Sequence, residues 1–308
     1  MTDQEPTDRV AATQDSSHRS VRTIVAVVLV LAFAAAYLAV IAFYRTGFNE
    51  SFAPPTPPSG GVAVVFAPTT VDPVARTASG DVLLFLSPDL TDSSGKSKVP
   101  LRLELFPALS KNSLDYAVGQ IPSPVAVTLP TPGIVQQYPV DTYEVGFTAR
   151  AATNAALGRG VEVPTQSSMF FQVPGWNLKD ASTTQVSVSE ATTVGSIARS
   201  GSTKVVAALM LILMVALAII AVLVVQSSAS GRMRLELNVA SWITAMLFAL
   251  LPIRGFLPGD PPIGSWIDIL VFFWVEATIM VCVALAATGL LMRAREKRLS
   301  SKLDKPSK

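Results

Sequence analysis

The sequence has 308 residues, of which 50% are hydrophobic and only 15% are charged, with a net charge of +2 at pH 7. Soluble domains carry about 25% charged residues, so the deficit indicates segments embedded in lipid. A net charge this small argues against nucleic acid as a partner. The single histidine, His18, and the single cysteine, Cys282, exclude Ser-His-Asp triads, Cys-His dyads, histidine-based zinc sites and an intrachain disulfide.

The N-terminal part of the chain predicts a cytoplasmic tail and a membrane anchor. Residues 1–22 are polar, with few large apolar side chains, which is typical of a disordered tail. Residues 23–44 (TIVAVVLVLAFAAAYLAVIAFY) contain no charge and are longer than the 7–15 apolar residues of a signal-peptide core. They therefore predict an uncleaved transmembrane helix. Arg19 and Arg22 flank its start and indicate a cytoplasmic N-terminus.

Residues 45–60 form a linker rich in proline and glycine, and residues 61–200 carry the period-2 patterns of strands. The strand-like runs are VAVVFAPTTV, DVLLFLS, VPLRLELF, VAVTLP, TYEVGFTAR, SSMFFQV and TQVSVS. About seven strands in roughly 140 residues, with no apolar stripe of helix length between them, predict an antiparallel β-sandwich. The acidic loop at residues 89–96 has the composition of a hairpin turn. Lys96 at its end and Lys98 just after it argue against calcium.

The run YPVDTYEVGF contains the most marked local pattern of this domain. Pro139 is compatible with the start of an edge strand, and Asp141 can cap the local turn through its carboxylate. The spacing of Asp141 and Tyr143 is similar to a tyrosine corner, in which the phenol hydroxyl bonds the chain's own backbone. We expect Tyr138, Pro139, Asp141 and Tyr143 to have a structural role, with ligand binding as the alternative.

Three further apolar runs, at residues 205–225, 237–256 and 266–292, predict transmembrane helices two to four. Arg232, Arg234 and the basic tail at residues 293–308 then lie on the cytoplasmic side. Residues 45–204 lie outside, and both termini lie inside. The sequence thus predicts a multi-pass plasma-membrane protein whose β-sandwich is inserted between helices one and two. The basic tail either serves only to set this topology or, in addition, attracts anionic lipid.

The connection between the third and fourth helices is rich in glycine and proline, which prevents the two helices from merging. Asp268 follows in the first turn of the fourth helix, where the helix dipole favours an acid. We expect a re-entry corner on the same side of the membrane as the sandwich. Its candidate structural residues are Pro261, Pro262, Gly264, Trp266 and Asp268.

Glu276 is the candidate functional residue inside the membrane. Counted from Trp266 at 1.5 Å per residue, it lies about 15 Å along the fourth helix, near the bilayer midplane. A carboxylate at this depth should face other helices or a wet cavity. Arg254 is the nearest cation in sequence, and Thr244 lies at similar depth on the third helix. The residue is a hydrogen-bonded contact between helices or a proton or cation relay, and the lack of a second intramembrane acid favours the former.

The sequence contains no phosphate-binding glycine loop, no Cys-x-x-Cys and no Gly-x-Ser-x-Gly elbow. We therefore expect a protein that is not an enzyme, with no catalytic residues, cofactor or metal. The expected partners are the lipid bilayer and an envelope protein or a second copy of the chain, without nucleic acid.

Two motifs and the overall layout resemble a known family. The motifs are YPVDTY at residues 138–143 and LPGDPPIGSWIDILVFFWVE at residues 257–276, and the layout match extends from residue 21 onwards. The chain resembles the DUF4436 family of uncharacterised, largely actinobacterial membrane proteins. The resemblance implies a membrane location and this topology, and no activity.

Three functions are compatible with these features. The first is a non-enzymatic membrane protein that presents the sandwich to another protein or to a cell-envelope component. The second is a transporter or channel component that uses Glu276. The third is a ligand sensor, which the short cytoplasmic segments disfavour.

Overall fold

The computed structural model describes residues 52–153, 160–230 and 237–303, together with eight helical residues between positions 27 and 42. The chain divides into two compact units, Met1–Asn49 and Glu50–Lys308. Most of the predicted first span, the 1–22 tail, the loop with Arg232 and Arg234, and residues 304–308 lie outside the described residues. The second unit contains a β domain followed by helices.

The first sheet of the β domain has four strands in the order β5-β2-β1-β7. They are β1 (Val62–Asp72), β2 (Thr77–Leu86), β5 (Val125–Pro130) and β7 (Thr165–Met169). Strands β1, β2 and β5 pair antiparallel, whereas β1 and β7 pair parallel. The parallel pair departs from the predicted antiparallel arrangement. Strands β1 and β7 begin at the same end of the sheet and therefore run in the same direction. At that end the Val62 amide donates to the Pro164 carbonyl at 2.8 Å.

The second sheet has five strands, all antiparallel, in the order β4-β3-β6-β9-β8. They are β3 (Leu101–Phe106), β4 (Ser113–Tyr116), β6 (Thr142–Thr153), β8 (Trp176–Ser187) and β9 (Glu190–Arg199). The prediction of a β-rich domain is therefore confirmed, and each of the seven strand-like runs overlaps a different one of these nine strands. Only three residues of SSMFFQV lie in β7. Strands β4 and β9 have no counterpart among the predicted runs.

Alternating burial produces the core between the two sheets. In β3, the leucines at positions 101, 103 and 105 are buried and the residues between them are exposed. In β6, Tyr143, Val145 and Phe147 alternate in the same way and face the same core. Phe66 of the first sheet meets Phe147 edge to face, with ring centroids 6.0 Å apart. This is the pattern of two sheets, each with one apolar face.

Three helices follow the β domain: α1 (Gly201–Ala229), α2 (Leu237–Gly255) and α3 (Phe273–Leu303). A helical turn from Trp266 and a π-helical segment, Asp268–Phe272, lead into α3. The segments Gly201–Ala229, Leu237–Gly255 and Asp268–Glu296 are long and apolar enough to cross a membrane. The predicted second, third and fourth spans fall on them. They share an apolar core that includes Met214, Ile243 and Ile279.

The β domain meets the helices at one end, which we call the helix-proximal end. Strand β9 runs directly into α1, and Trp176, the first residue of β8, pairs with Arg199, the last residue of β9. The β8–β9 turn lies at the opposite, distal end. At about 3.4 Å per residue, the nine-residue step from Glu190 to Arg199 separates the two ends by about 30 Å.

Candidate functional site

The side chain of Arg199 occupies the centre of the helix-proximal end. Arg199 closes β9, and the next residue, Ser200, is the N-cap of α1, whose side chain accepts a hydrogen bond from the Thr203 amide at 3.3 Å. The side chain of Arg199 is only 1% exposed. A charge in such a place requires partners, because burial removes its hydration.

Asp141 is the ionic partner of Arg199. Nε of Arg199 lies 3.2 Å from each carboxylate oxygen of Asp141, whose side chain is fully buried. The Tyr143 hydroxyl donates to Oδ2 of the same carboxylate at 2.9 Å. The phenol therefore bonds the side chain of Asp141 and not the backbone, which corrects the tyrosine-corner interpretation. The local Asp-x-Tyr motif positions an anion for a cation 58 residues away in sequence.

Two aromatic rings enclose the guanidinium of Arg199. Its central carbon lies 4.0 Å from the ring centroid of Trp176 and 5.0 Å from that of Tyr138. Trp176 also meets Tyr143 edge to face at 5.6 Å. Ring faces attract cations strongly when water is excluded, by about 2 kcal/mol or more. Nη2 of Arg199 has no hydrogen-bond partner among the described residues, so these rings supply much of its compensation.

The corner between α2 and the helical turn at Trp266 completes this site. The Tyr138 hydroxyl donates to the Pro258 carbonyl at 2.9 Å, across 120 residues of sequence. Gly259 has a φ of +81°, and a Cβ at this position would collide with Nη1 of Arg199. Tyr138 also packs with Ala207 of α1 and Ile267 in a small apolar cluster. We call the site formed by Tyr138, Asp141, Tyr143, Trp176, Arg199 and the 258–259 backbone the junction.

A second ion pair lies within the corner itself. Arg254, at the end of α2, forms a bidentate pair with Asp268, with distances of 3.1 Å from Nε and 2.9 Å from Nη2. Asp268 is 1% exposed and also accepts from the Gly264 amide at 2.8 Å and the Ser265 hydroxyl at 3.3 Å. The two contacts from Arg254 link the end of α2 to the start of the next helical segment, and the other two fix the turn just before that segment. The structure thus gives Asp268 an ionic and hydrogen-bonding role beyond its position in the first turn.

The tyrosines of the junction are held in the neutral form. Burial raises the pKa of Tyr138 to about 12, and the nearby positive charge of Arg199 offsets part of this effect. Burial, together with the hydrogen bond to Asp141, raises the pKa of Tyr143 well above its usual range. Both hydroxyls therefore act as hydrogen-bond donors at neutral pH. The ion pair, hydrogen bonds and ring contacts of the junction hold the sandwich against the helices.

The remaining predicted residues are more dispersed. Pro261 is buried, Pro262 is half-buried, and Trp266 is 49% exposed. Pro139 is joined to Tyr138 by a cis peptide bond.

Thr244 donates to the Ala240 carbonyl of its own helix at 3.0 Å. Arg254 pairs with Asp268, so the structure does not bring Arg254 and Thr244 to Glu276. Glu276 is half-buried, and its side chain has no hydrogen bond or ion pair among the described residues.

Two residues of the junction were missed by sequence reasoning. Arg199 lies in SIARSGS, which has neither marked alternation nor a long apolar run, so β9 and its terminal cation gave no pattern. Trp176 follows a Pro-Gly turn and is buried in the core, with 9% of the residue exposed. The sequence did contain one usable signal: a lone arginine immediately before a long apolar run. The aspartate that it pairs with lies in an aromatic-rich motif.

A shallow cleft of about 880 Å³ lies beside the junction, on the outer side of the second sheet. Its floor includes Gly146 and Gly195, and its walls include Phe106, Pro107 and Val194. Phe106 is 74% exposed and Val194 is 47% exposed. An exposed aromatic ring beside bare glycine backbone provides an apolar surface that a partner can cover.

The acidic loop at residues 89–96 is a turn stabilised by its own side chains. The Asp92 carboxylate accepts from the backbone amides of Ser94 and Lys96, both at 2.9 Å, and from the Ser94 hydroxyl at 2.7 Å. These bonds lower the pKa of Asp92, with the Ser94 hydroxyl contributing most. Across the described residues, no group of three His, Cys, Asp or Glu side chains is arranged to hold a metal ion.

Comparison with known families divides the chain at the junction. Residues 52–196 match the family profile described as a domain of unknown function, DUF4436. This match covers strands β1 to β8 and most of β9 of the sandwich. Residues 199–293 match a second profile, a domain of unknown function named DUF8686. Arg199 is thus the first residue of the helical family segment, while its ionic partner Asp141 lies in the DUF4436 segment. No curated protein matches the chain.

Proposed function

We propose that this DUF4436 protein is a non-enzymatic, multi-pass plasma-membrane protein that presents its sandwich to another protein or to a cell-envelope component. The observation that carries the proposal is the junction. A buried ion pair, two enclosing rings and the bond from Tyr138 to Pro258 fasten the sandwich directly to the helices. A domain fastened in this way keeps a fixed orientation, which favours recognition of a partner in a defined position on the membrane.

The outer cleft of the second sheet is the recognition surface in this proposal. Its exposed Phe106 and Val194 offer apolar area, and Arg76, Glu144 and Asp180 supply charges at its margin. An apolar centre with a polar rim is the usual anatomy of a protein-binding surface. In the proposed topology both termini are cytoplasmic and the sandwich lies outside. The basic residues Arg293, Arg295 and Arg298 follow the last apolar stretch and support this orientation.

Site-specific photo-crosslinking in intact cells tests this proposal. A photoreactive residue at Phe106 is expected to give a discrete, saturable crosslink, which Val194→Asp abolishes because a charge disfavours the apolar contact. The same photoreactive residue at Val186, which is 58% exposed on β8 and does not line the cleft, is the matched control. A Phe106 pattern identical to that at Val186, or one unchanged by Val194→Asp, would overturn the cleft as the recognition surface.

A transport role for Glu276 is the second candidate. The observation in its favour is that Glu276 is half-buried within an apolar segment and has no hydrogen-bond partner among the described residues. An unpaired intramembrane acid is a recognised feature of proton and cation pathways. Glu276→Gln should then abolish proton- or cation-dependent flux in liposomes without lowering the amount of folded protein. Flux that is unchanged in this variant would eliminate the transport role.

A further inference from the structure

The first half of strand β1 is buried on both of its faces. Val62, Val64 and Phe66 belong to the core between the two sheets. Ala63 and Val65 alternate with them and therefore lie on the outer face of the first sheet. Both are only 1% exposed, although neither belongs to that core. Another part of the chain must therefore cover β1 on its outer side.

The linker that precedes β1 supplies this cover. The ring centroid of Phe52 lies 4.8 Å from that of Phe170 and 6.1 Å from that of Phe85. Phe85 belongs to β2 and Phe170 directly follows β7, and these two strands flank β1 in the sheet. The Phe52 ring therefore lies over β1, where it helps to bury Ala63 and Val65.

We call residues 52–58 (FAPPTPP) the strap. Its four prolines have no N–H to donate, and no backbone hydrogen bond joins residues 52–57 to the sheet among the described residues. Hydrogen bonds begin at its C-terminal end, where the Gly61 amide donates to the Pro58 carbonyl at 2.9 Å and the Gly60 amide donates to the Asp89 carboxylate at 2.8 Å. A segment attached mainly through ring contacts has low local stability.

We propose that the surface under the strap is a docking site for an extended segment in which an aromatic residue precedes prolines, and that the strap is its exchangeable resident occupant. The chemistry of the ligand follows from the segment that lies there, with Phe52 between two aromatic rings. Proline-rich segments bind aromatic-lined surfaces well because their extended conformation is already restricted before binding. This site is on the opposite face of the sandwich from the cleft of the second sheet, so it is independent of the proposed recognition surface.

A segment from another molecule has room to extend beyond the strap. A second cleft, of about 350 Å³, adjoins the site because Phe170 also lines it. Pro68, Leu83 and Pro124 add apolar surface to this cleft, and no strap residue lines it. A longer segment of the same chemistry can therefore make contacts that the strap does not make.

The advantage of the strap is its covalent attachment to the sandwich. A tethered ligand competes at an effective concentration on the order of 1 mM. A segment supplied from outside should therefore bind the native chain weakly, and it should bind more tightly once the strap has lost the Phe52 ring.

A peptide of residues 52–61 (FAPPTPPSGG), labelled with a fluorophore, tests the inference by fluorescence anisotropy on the full chain in detergent. We expect saturable binding to the Phe52→Ala variant and binding at least about tenfold weaker to the native chain. Adding Phe170→Ala to the variant should abolish binding. Adding Phe256→Ala, at a position 72% exposed in the corner, is the matched control and should not. A peptide with alanine in place of phenylalanine should not bind.

Absence of binding to folded Phe52→Ala protein, equal affinity for the native chain, or affinity unchanged by Phe170→Ala would overturn the docking site. A second measurement does not depend on the folding of these variants. A photoreactive phenylalanine at position 52 should crosslink to the sheet near Phe170, and unlabelled peptide above about 1 mM should reduce this crosslink. A crosslink that the peptide does not reduce would show that the strap is not exchangeable.

Discussion

Arg199 has a full positive charge in a place that water does not reach, and its neighbours determine the stability of the junction. Asp141 supplies the opposite charge, and the rings of Trp176 and Tyr138 supply the negative faces. Removal of one partner of a buried pair leaves the other charge uncompensated, which costs more than the pair itself contributes.

Asp141→Ala is accordingly expected to lower the free energy of unfolding by about 3–5 kcal/mol. Chemical denaturation of the full chain in detergent measures the change. Asp115→Ala is the control, because the Arg102–Asp115 pair has a similar composition but both side chains are about half exposed, and its effect should be far smaller. The double variant Asp141→Leu with Arg199→Met should recover most of the loss, since it removes both charges. Equal losses in Asp141→Ala and Asp115→Ala would contradict this explanation.

The tyrosines of the junction predict a loss of stability at alkaline pH. An unfolded tyrosine has a pKa of about 10, and burial raises that of Tyr138 to about 12. Below pH 10 both states hold the proton, so stability is complete. As the pH rises from 10 to 12, the unfolded state loses its proton first and stability falls.

Tyr138→Phe should reduce this alkaline loss, because Phe has no proton to lose. Unfolding free energies of the native chain and the variant, measured on both sides of pH 10, test the prediction. An identical pH dependence in both proteins would show that Tyr138 is not held neutral by the fold.

At the residue level, sequence reasoning found one half of the junction. Asp141 and Tyr143 are two residues apart at the start of β6, so their spacing alone predicts that their side chains lie close together. Arg199 is 58 residues from Asp141, and only the pairing of β6 with β9 brings the two together. Local patterns do not contain that pairing. For the same reason the sequence order suggested Arg254 as the cation near Glu276, whereas the fold directs it to Asp268.

Among the elements, the α2 corner depends on a glycine in a position that few residues can occupy. Gly259 has a φ of +81°, and any Cβ would meet the guanidinium of Arg199. Gly264 has a similar φ of +90°, but open space surrounds its Cβ position. A comparison of substitutions at the two glycines therefore distinguishes the cost of backbone strain from the cost of a collision with Arg199.

Gly259→Ala should therefore destabilise the protein more than Gly264→Ala. Strain alone costs about 1 kcal/mol, and only Gly259 adds displacement of Arg199. Melting temperatures of both variants, with Gly255→Ala as a reference that has neither feature, test this order. A larger effect at Gly264 would indicate that close packing of Gly259 against Arg199 does not contribute to stability.

Secondary structure was predictable where the pattern was strong. The apolar runs and the alternation in β3 and β6 determine those elements locally. Strand β4 has only four residues, and β9 (EATTVGSIAR) has small and polar residues on both faces, so neither gave a clear period. The parallel pairing of β1 with β7 depends on where two distant strands begin, which no local signal specifies.

For the whole molecule, the junction has one main consequence. It joins the sandwich to α1 through the chain itself and to the corner through Tyr138 and Gly259. Two connections restrict rotation more than a single covalent link, so the sandwich and the helices should move as one body. Fixed orientation is the property on which the proposed presentation of the cleft depends.

The distance between two spin labels measures this property most directly. One label replaces Val186 near the distal end of the sandwich, and the other replaces Met292, which is 65% exposed on α3. We predict a single narrow distance distribution for the native chain in nanodiscs. Arg199→Ala in the same labelled chain should broaden it, while the surface control Asp115→Ala should not. A broad distribution in the native chain would contradict the claim that the junction fixes the sandwich on the three helices.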